Sequence, residues 1–423
     1  MISKVLQFSL YFGWLLLSLS FFFKYTKTLQ WLGFISLSIA SFYLIRNHWE
    51  LIFHKLQNLT FTLFLFLMFL FWFVIVSPYK MASFEAFLLN YLFHILLFYL
   101  LLILAFFHKE SERLFLIFWS IFFLVIFSFI VYYVIYISFI CSGEGSLSLS
   151  AFLRYSKDSL LKGLVVSIPA FVLGLFVSFG FFLNNRDQKR YIFLLVSLII
   201  FIFLIIVGRR AALLSILLSF LLVAFFSKNK KLRKIFQCVL LIAGTILIIF
   251  LNQPQGKEIM LKARDDLTLL LSFDYEKWAQ AGSMGMRLYI WPLYLKKSIE
   301  EPFSGTGLGR RVQKRVLPET NKKALSLEHA HNLFLNLALQ AGWHSALLFL
   351  LFYIATLKKA YNLWKVSQEN PFFTSLFLYL IAFFIMSLFE GMEEGLRFTP
   401  FWITSGMIWG FEEHYEEKNR LSS

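Results

Sequence analysis

"YIFLLVSLIIFIFLIIV" (191–207) and "AALLSILLSFLLVAFF" (211–226) are separated by only three residues, Gly208, Arg209 and Arg210. Neither run carries a charge, and each approaches the ~20 residues that an α-helix needs to cross a ~30 Å hydrocarbon core. Two arginines between two such runs mark a turn at a membrane boundary. Working outward, about twelve comparable runs follow one another, near 5–23, 29–45, 59–78, 88–107, 114–140, 163–183, 191–207, 211–226, 235–251, 337–357, 373–389 and 398–411. Composition agrees. Of 423 residues, 59% are hydrophobic and 15% charged, mean hydropathy is +0.72, and Phe alone occurs 55 times. A water-soluble domain carries about 25% charged residues and cannot hide so much apolar surface behind a polar shell. The expected fold is an all-α polytopic membrane protein with about twelve transmembrane helices and one large periplasmic loop containing short helices.

Charge sets the expected orientation. With the N-terminus inside, "HKESER" (108–113), "NNRDQKR" (184–190), "SKNKKLRK" (227–234), "KKAYNLWK" (358–365) and the tail "EEKNR" (416–420) all face the cytoplasm, as the positive-inside rule requires. The first run lacks a small-residue cleavage site and is expected to remain as a helix. The polar segment 252–336 then lies outside. It holds 13 Lys/Arg against 9 Asp/Glu, and long loops cross membranes largely regardless of charge. The expected division is helices one to nine (1–251), the periplasmic loop as a catalytic subdomain (252–336), and helices ten to twelve with a cytoplasmic tail (337–423). Apolar spacing over 257–280 suggests short helices on the membrane face. Cys141 and Cys238 sit in different apolar runs, which argues against a disulfide or cysteine metal site. The net charge of +16 points to lipid phosphates, and no nucleic-acid motif accompanies it.

Four stretches carry chemistry-bearing residues. "VGRRAALLSILL" (207–218) places Arg209 and Arg210 at an outer helix boundary, where a permanently charged fork of donors suits phosphate; snorkelling to head groups is the plain alternative. "GMRLYIWPLYLKKSIEEPFSGTGLGRR" (285–311) offers Arg287 and Trp291, then a turn punctuated by Pro302, Gly305, Gly307 and Gly309, then Arg310 and Arg311. Those glycines would let backbone N–H groups approach a ligand, although the strand-turn-helix context of a nucleotide fingerprint is lacking. "HAHNLFLNLALQAGWHS" (329–345) sets His329, His331 and Asn332 at the mouth of an apolar helix. An imidazole there is a base poised near neutral pH, with Asn332 available for a ring or a sugar hydroxyl. "FEGMEEGLRF" (389–398) gathers Glu390, Glu393, Glu394 and Arg397, and an ordinary solvated loop is the favoured reading. "RDD" (264–266) is not a spaced metal-binding pattern, and no metal is assigned.

The order of these motifs resembles the O-antigen ligase/polymerase superfamily of bacterial envelope glycosyltransferases. The resemblance rests on Arg210 in "RRAALL", Arg287 and Trp291 in "RLYIW", Pro302 to Gly309 in "PFSGTGLG", and His331-Asn332 followed by Gly342. It departs at Ser345, where the family has Gly, Thr or Tyr, and at Arg209, where it has Ser or Thr. The resemblance implies an O-antigen ligase of the bacterial inner membrane. Such an enzyme transfers polysaccharide from undecaprenyl diphosphate to lipid A–core at the periplasmic face, with inversion and without metal or other cofactor. Implied catalytic residues are Arg210, Arg287 and His331; Arg209, His329, Asn332, Trp291, Arg310 and Arg311 are expected to bind substrate. An O-antigen or capsule polymerase and a protein O-oligosaccharyltransferase are the alternatives within the superfamily, and a transporter of lipid-linked glycan is the alternative outside it.

Overall fold

The computed structural model describes residues 31–42, 79–107, 168–184, 190–206, 210–226, 254–272, 274–278, 282–309, 329–366, 370–392 and 397–422, with shorter pieces between 8 and 77 and between 230 and 252. Among the described residues every regular element is helical. The elements are α1 (Lys80–Ala86), a π-helical turn (Phe87–Leu92), α2 (Phe93–Phe107), α3 (Ile168–Asn184), α4 (Arg190–Ile206), α5 (Arg210–Phe226), α6 (Pro254–Leu271), α7 (Tyr275–Trp278), α8 (Gly282–Glu300), α9 (Leu333–Val366), α10 (Pro371–Phe389) and α11 (Thr399–Ser422). Three helical stretches are long and apolar enough to cross a membrane: Lys80–Phe106, Leu333–Val366 and Phe372–Phe389. Helices α3, α4 and α5 are apolar but shorter; they coincide with three further runs expected as spans. The expected run at 114–140 lies outside the described residues, as do most of 5–23 and 235–251.

The helices assemble through apolar faces. Along α4, Tyr191, Leu195, Leu198, Ile202 and Ile205 are all exposed at helical spacing, a stripe that suits lipid rather than water. Helix α11 lies along α2. Gly406 and Gly410, one turn apart, bring its backbone so close that a Cβ on either would fall 2.6 Å from Phe98 O or 2.4 Å from Leu102 O. Small residues at this spacing permit close helix approach where no water drives association. The head of α11 is fixed by the buried His94 of α2. Its Nδ1 lies 2.8 Å from the Asn90 carbonyl and so carries the proton; its Nε2 then accepts from the Thr399 hydroxyl at 2.9 Å. Helix α11 runs on to Ser422, through the stretch expected as a tail.

Helix α9 is not one continuous rod. Ala341 (φ −135°, ψ 18°) and Gly342 (φ 77°, ψ 163°) break it. A break in an apolar span strands backbone carbonyls, each of which needs a donor. The segment 302–309 supplies them. The N–H groups of Thr306 and Gly307 donate to Leu339 O and Gln340 O at 2.8 and 3.1 Å, the Thr306 hydroxyl adds a bond to Leu339 O at 3.0 Å, and Gly309 N–H donates to Gln340 Oε1 at 2.9 Å. In return Trp343 N–H donates to Pro302 O at 2.9 Å. The glycine-rich turn therefore spends these N–H groups on the broken helix, a correction to the expectation that they approach a ligand. Gly305 has φ 60°, and a Cβ there would meet Gln340 O at 2.5 Å. Gly342 sits in a backbone region open essentially only to glycine, and a Cβ would lie 2.8 Å from Pro302 O. Gly342→Ala is expected to destabilise by about 1–3 kcal/mol from backbone conformation alone, read as a lower melting temperature of the detergent-purified protein. An unchanged melting temperature would show that the break is not held by this contact.

Candidate active site

Three chain segments meet at one place: α8, the loop that leads into α9, and the residues after α10. Helix α8 is pinned by a small apolar core of Tyr289, Ile290, Tyr294, Ala330 and Leu339. Trp291 Nε1–H donates to Ala330 O at 2.7 Å, which fixes α8 against the loop. Arg287 lies one turn earlier on α8 and is largely buried, at 16% side-chain exposure.

The loop itself is tightly specified. Asn332 caps α9, its Oδ1 accepting from Leu335 N–H at 3.0 Å while its Nδ2 donates to Leu388 O at 3.3 Å. A side chain committed to an N-cap is an anchor more than a substrate contact. Ala330 N–H donates to the buried Oδ1 of Asn336 at 2.9 Å. His329 is buried, and its Nδ1 accepts from His331 N–H at 3.2 Å, so its proton resides on Nε2. The two imidazoles pack edge to face, 4.0 Å between ring centres. His331 is the one described non-glycine residue with positive φ, at 51°. Such a conformation stores strain and persists only where the surroundings dictate it, as at ligand clamps and active sites.

Glu390 joins the pieces. Its Oε1 accepts from Arg287 Nη2 at 3.4 Å, and its Oε2 lies 3.6 Å from His331 Nδ1. The carboxylate is only 20% exposed, which corrects the reading of this stretch as a solvated loop; Glu393 and Glu394 lie outside the described residues. Arg397, at the head of α11, donates to Gly391 O at 3.4 Å. Burial lowers the pKa of His331 despite the opposing pull of Glu390, with Arg287 and Arg397 adding to the decrease. Burial pushes the Glu390 carboxyl up, but His331, Arg287 and Arg397 together outweigh it and hold it below the usual carboxylate value. Burial also lowers Arg287 against the pull of Glu390, yet a guanidinium stays charged at any working pH.

Arg210 begins α5 and is exposed. The next two residues, Ala211 and Ala212, line a shallow cleft together with Ile168, Pro169, Met386, Glu390, Met392 and Arg397. The start of α5 thus opens onto the same cleft as Glu390. Arg209, Arg310 and Arg311 lie outside the described residues. Among the described residues no group of three or more His, Cys, Asp or Glu side chains is gathered to hold a metal. The arrangement presents guanidinium groups for an anion and a neutral imidazole for a proton.

Residues 195–350 match the O-antigen ligase family. The resemblance carried by the motifs holds over that segment, which contains Arg210, Arg287 and His331. The chain is also 29% identical over 138 residues to the ComP-specific O-oligosaccharyltransferase of Acinetobacter baylyi, an alignment covering 32% of this chain and 24% of that relative. It thus matches about a quarter of the curated relative's length. The O-antigen ligase match ends forty residues short of Glu390. Glu390 and Arg397 carry little signal in the sequence, because an acidic loop after a span has no periodicity to distinguish it. The only signal was three carboxylates beside an arginine.

Proposed function

We propose that the protein is a membrane glycosyltransferase of the O-antigen ligase type. It moves a glycan from an undecaprenyl-diphosphate carrier to a hydroxyl of lipid A–core at the periplasmic face of the inner membrane. The observation that carries this reading is the convergence of Arg287 and His331 on Glu390, within and beside a segment matching the O-antigen ligase family. The acceptor hydroxyl attacks the anomeric carbon of the donor sugar. The bond from that carbon to the diphosphate oxygen breaks, and the electron pair leaves with the lipid diphosphate. Arg287 and Arg210 stabilise the charge that grows on the leaving group. His331, neutral because burial lowers its pKa, takes the hydroxyl proton. Attack opposite the leaving group inverts the anomeric centre. A diphosphate leaves without protonation, so the acid partner that glycosidases use is not required.

The named relative favours a second reading, in which the acceptor is a protein hydroxyl, as in a protein O-oligosaccharyltransferase. Purified protein supplied with undecaprenyl-diphosphate-linked glycan and either lipid A–core or a pool of periplasmic proteins separates the two. Glycan on lipid A–core with release of undecaprenyl diphosphate is the expected product. Glycan on protein alone would move the assignment to the second reading. Elongated lipid-linked glycan would indicate a polymerase, and no covalent product with movement of the donor across the bilayer would indicate a transporter.

A further inference from the structure

Glu390 is placed by the end of α10, in an acidic stretch beyond the segment that matches the O-antigen ligase family. Its two oxygens are divided between two groups on separate segments, Oε1 toward Arg287 on α8 and Oε2 toward His331 before α9. His331 Nδ1 is enclosed and has no hydrogen-bond partner within 3.5 Å. The carboxylate oxygen 3.6 Å away is the charged group facing it, and bonds of this kind tighten when substrate binds. If Nδ1 carries its proton toward Glu390, then Nε2 keeps its lone pair and is the nitrogen able to accept a proton. A partner at one ring nitrogen decides which form of the imidazole is present.

We propose that Glu390 is a positioning residue of this site, fixing through one carboxylate both the guanidinium of Arg287 and the tautomer of His331 that leaves Nε2 free to take a proton. This rests on the reading of His331 as the base. The same carboxylate ties the group facing the leaving diphosphate to the group facing the nucleophile, so neither moves independently. The groups acting on His331 are Glu390, which raises its pKa, and Arg287 and Arg397, which lower it; His329 supplies Nδ1 to its backbone N–H.

The test uses the full chain purified in detergent, with undecaprenyl-diphosphate-linked glycan and lipid A–core, and follows release of undecaprenyl diphosphate across pH. Glu390→Gln keeps the shape and removes the charge. The plateau kcat is expected to fall about 100-fold while KM for the donor stays nearly constant. The acid limb of the profile is expected to move to lower pH, because the group that raises His331 is gone. Glu390→Asp keeps the charge on a shorter reach, so kcat falls about 10- to 100-fold with the limb little moved. In a His331→Ala background, Glu390→Gln costs much less than it does alone, because only the hold on Arg287 remains to be lost. A wild-type kcat in either variant overturns the proposal, as does an unmoved limb in Glu390→Gln or a full extra loss on top of His331→Ala. Should Glu390→Gln fail to accumulate, the Glu390→Asp rate and profile decide alone. If His331→Ala itself transfers normally, the base reading fails; if His331→Ala is inactive and Glu390→Gln is normal, only the role of Glu390 fails.

Discussion

His331→Ala is expected to lower glycosyl transfer by about 10²–10⁴-fold, the usual contribution of a positioned general base, while the protein still inserts and folds. Folding should survive because the loop is held by groups other than the imidazole: the Asn332 cap, the Trp291 bond to Ala330 O, and the backbone N–H of His331 on His329. The positive φ of 51° at this position disfavours alanine modestly, so His331→Asn is the stricter variant. Asparagine accepts this backbone region more readily and still cannot act as a base. Both variants should be equally inactive. A transfer rate near wild type in either would remove His331 from the chemistry. The pH dependence has a definite sign. Burial lowers the pKa of His331, so the neutral, proton-accepting form predominates at pH 7. Activity should be flat through neutrality and fall as the pH drops through the folded-state pKa, below the ordinary histidine value. A profile that instead falls as pH rises through neutrality would require the protonated imidazole to be the active form.

What the sequence discloses and what it conceals follow from the range over which each signal acts. Apolar runs report on their own surroundings, so the helices at 88–107, 337–357 and 373–389 are legible from composition, and the structure has helices long and apolar enough to cross a membrane over each of them. Arg287 and His331 are also legible, because each lies in a local motif with recognisable spacing. The break at Gly342 is not, although Gly342 is visible as part of a motif. Its consequence depends on Pro302 and Thr306, which come from an earlier loop and hydrogen-bond across the gap. The same motif glycines that suggest an open cradle for a ligand are in fact the means by which a loop approaches a helix backbone. Glu390 is hidden for a similar reason. It meets Arg287 across 103 residues, and nothing in the local pattern of "FEGMEEGLRF" tells which carboxylate turns inward. Polar residues after 411 mark the end of the apolar run but not of the helix, which continues to Ser422.

Arg287→Ala is expected to lower kcat by about 10²–10³-fold, the usual cost of removing one preorganised donor to developing charge. Arg287→Lys discriminates what the guanidinium contributes. Lysine retains the positive charge near Glu390 but lacks the planar two-pronged donor, so transfer should remain well below wild type. The pH profiles of these variants separate charge from shape. Arg287 lowers the pKa of His331; its removal in Arg287→Ala relieves that repulsion, and the acid limb should move to higher pH. Loss of Glu390 has the reverse effect on the same imidazole. Arg287→Lys, with its charge kept, should lose rate without a comparable displacement of the limb. Opposite displacements on removing the cation and the anion are what a shared carboxylate predicts. If both removals move the limb the same way, or neither moves it, then Arg287, Glu390 and His331 are not one electrostatic unit during the reaction, and the 3.4 and 3.6 Å approaches in the structure serve the fold alone.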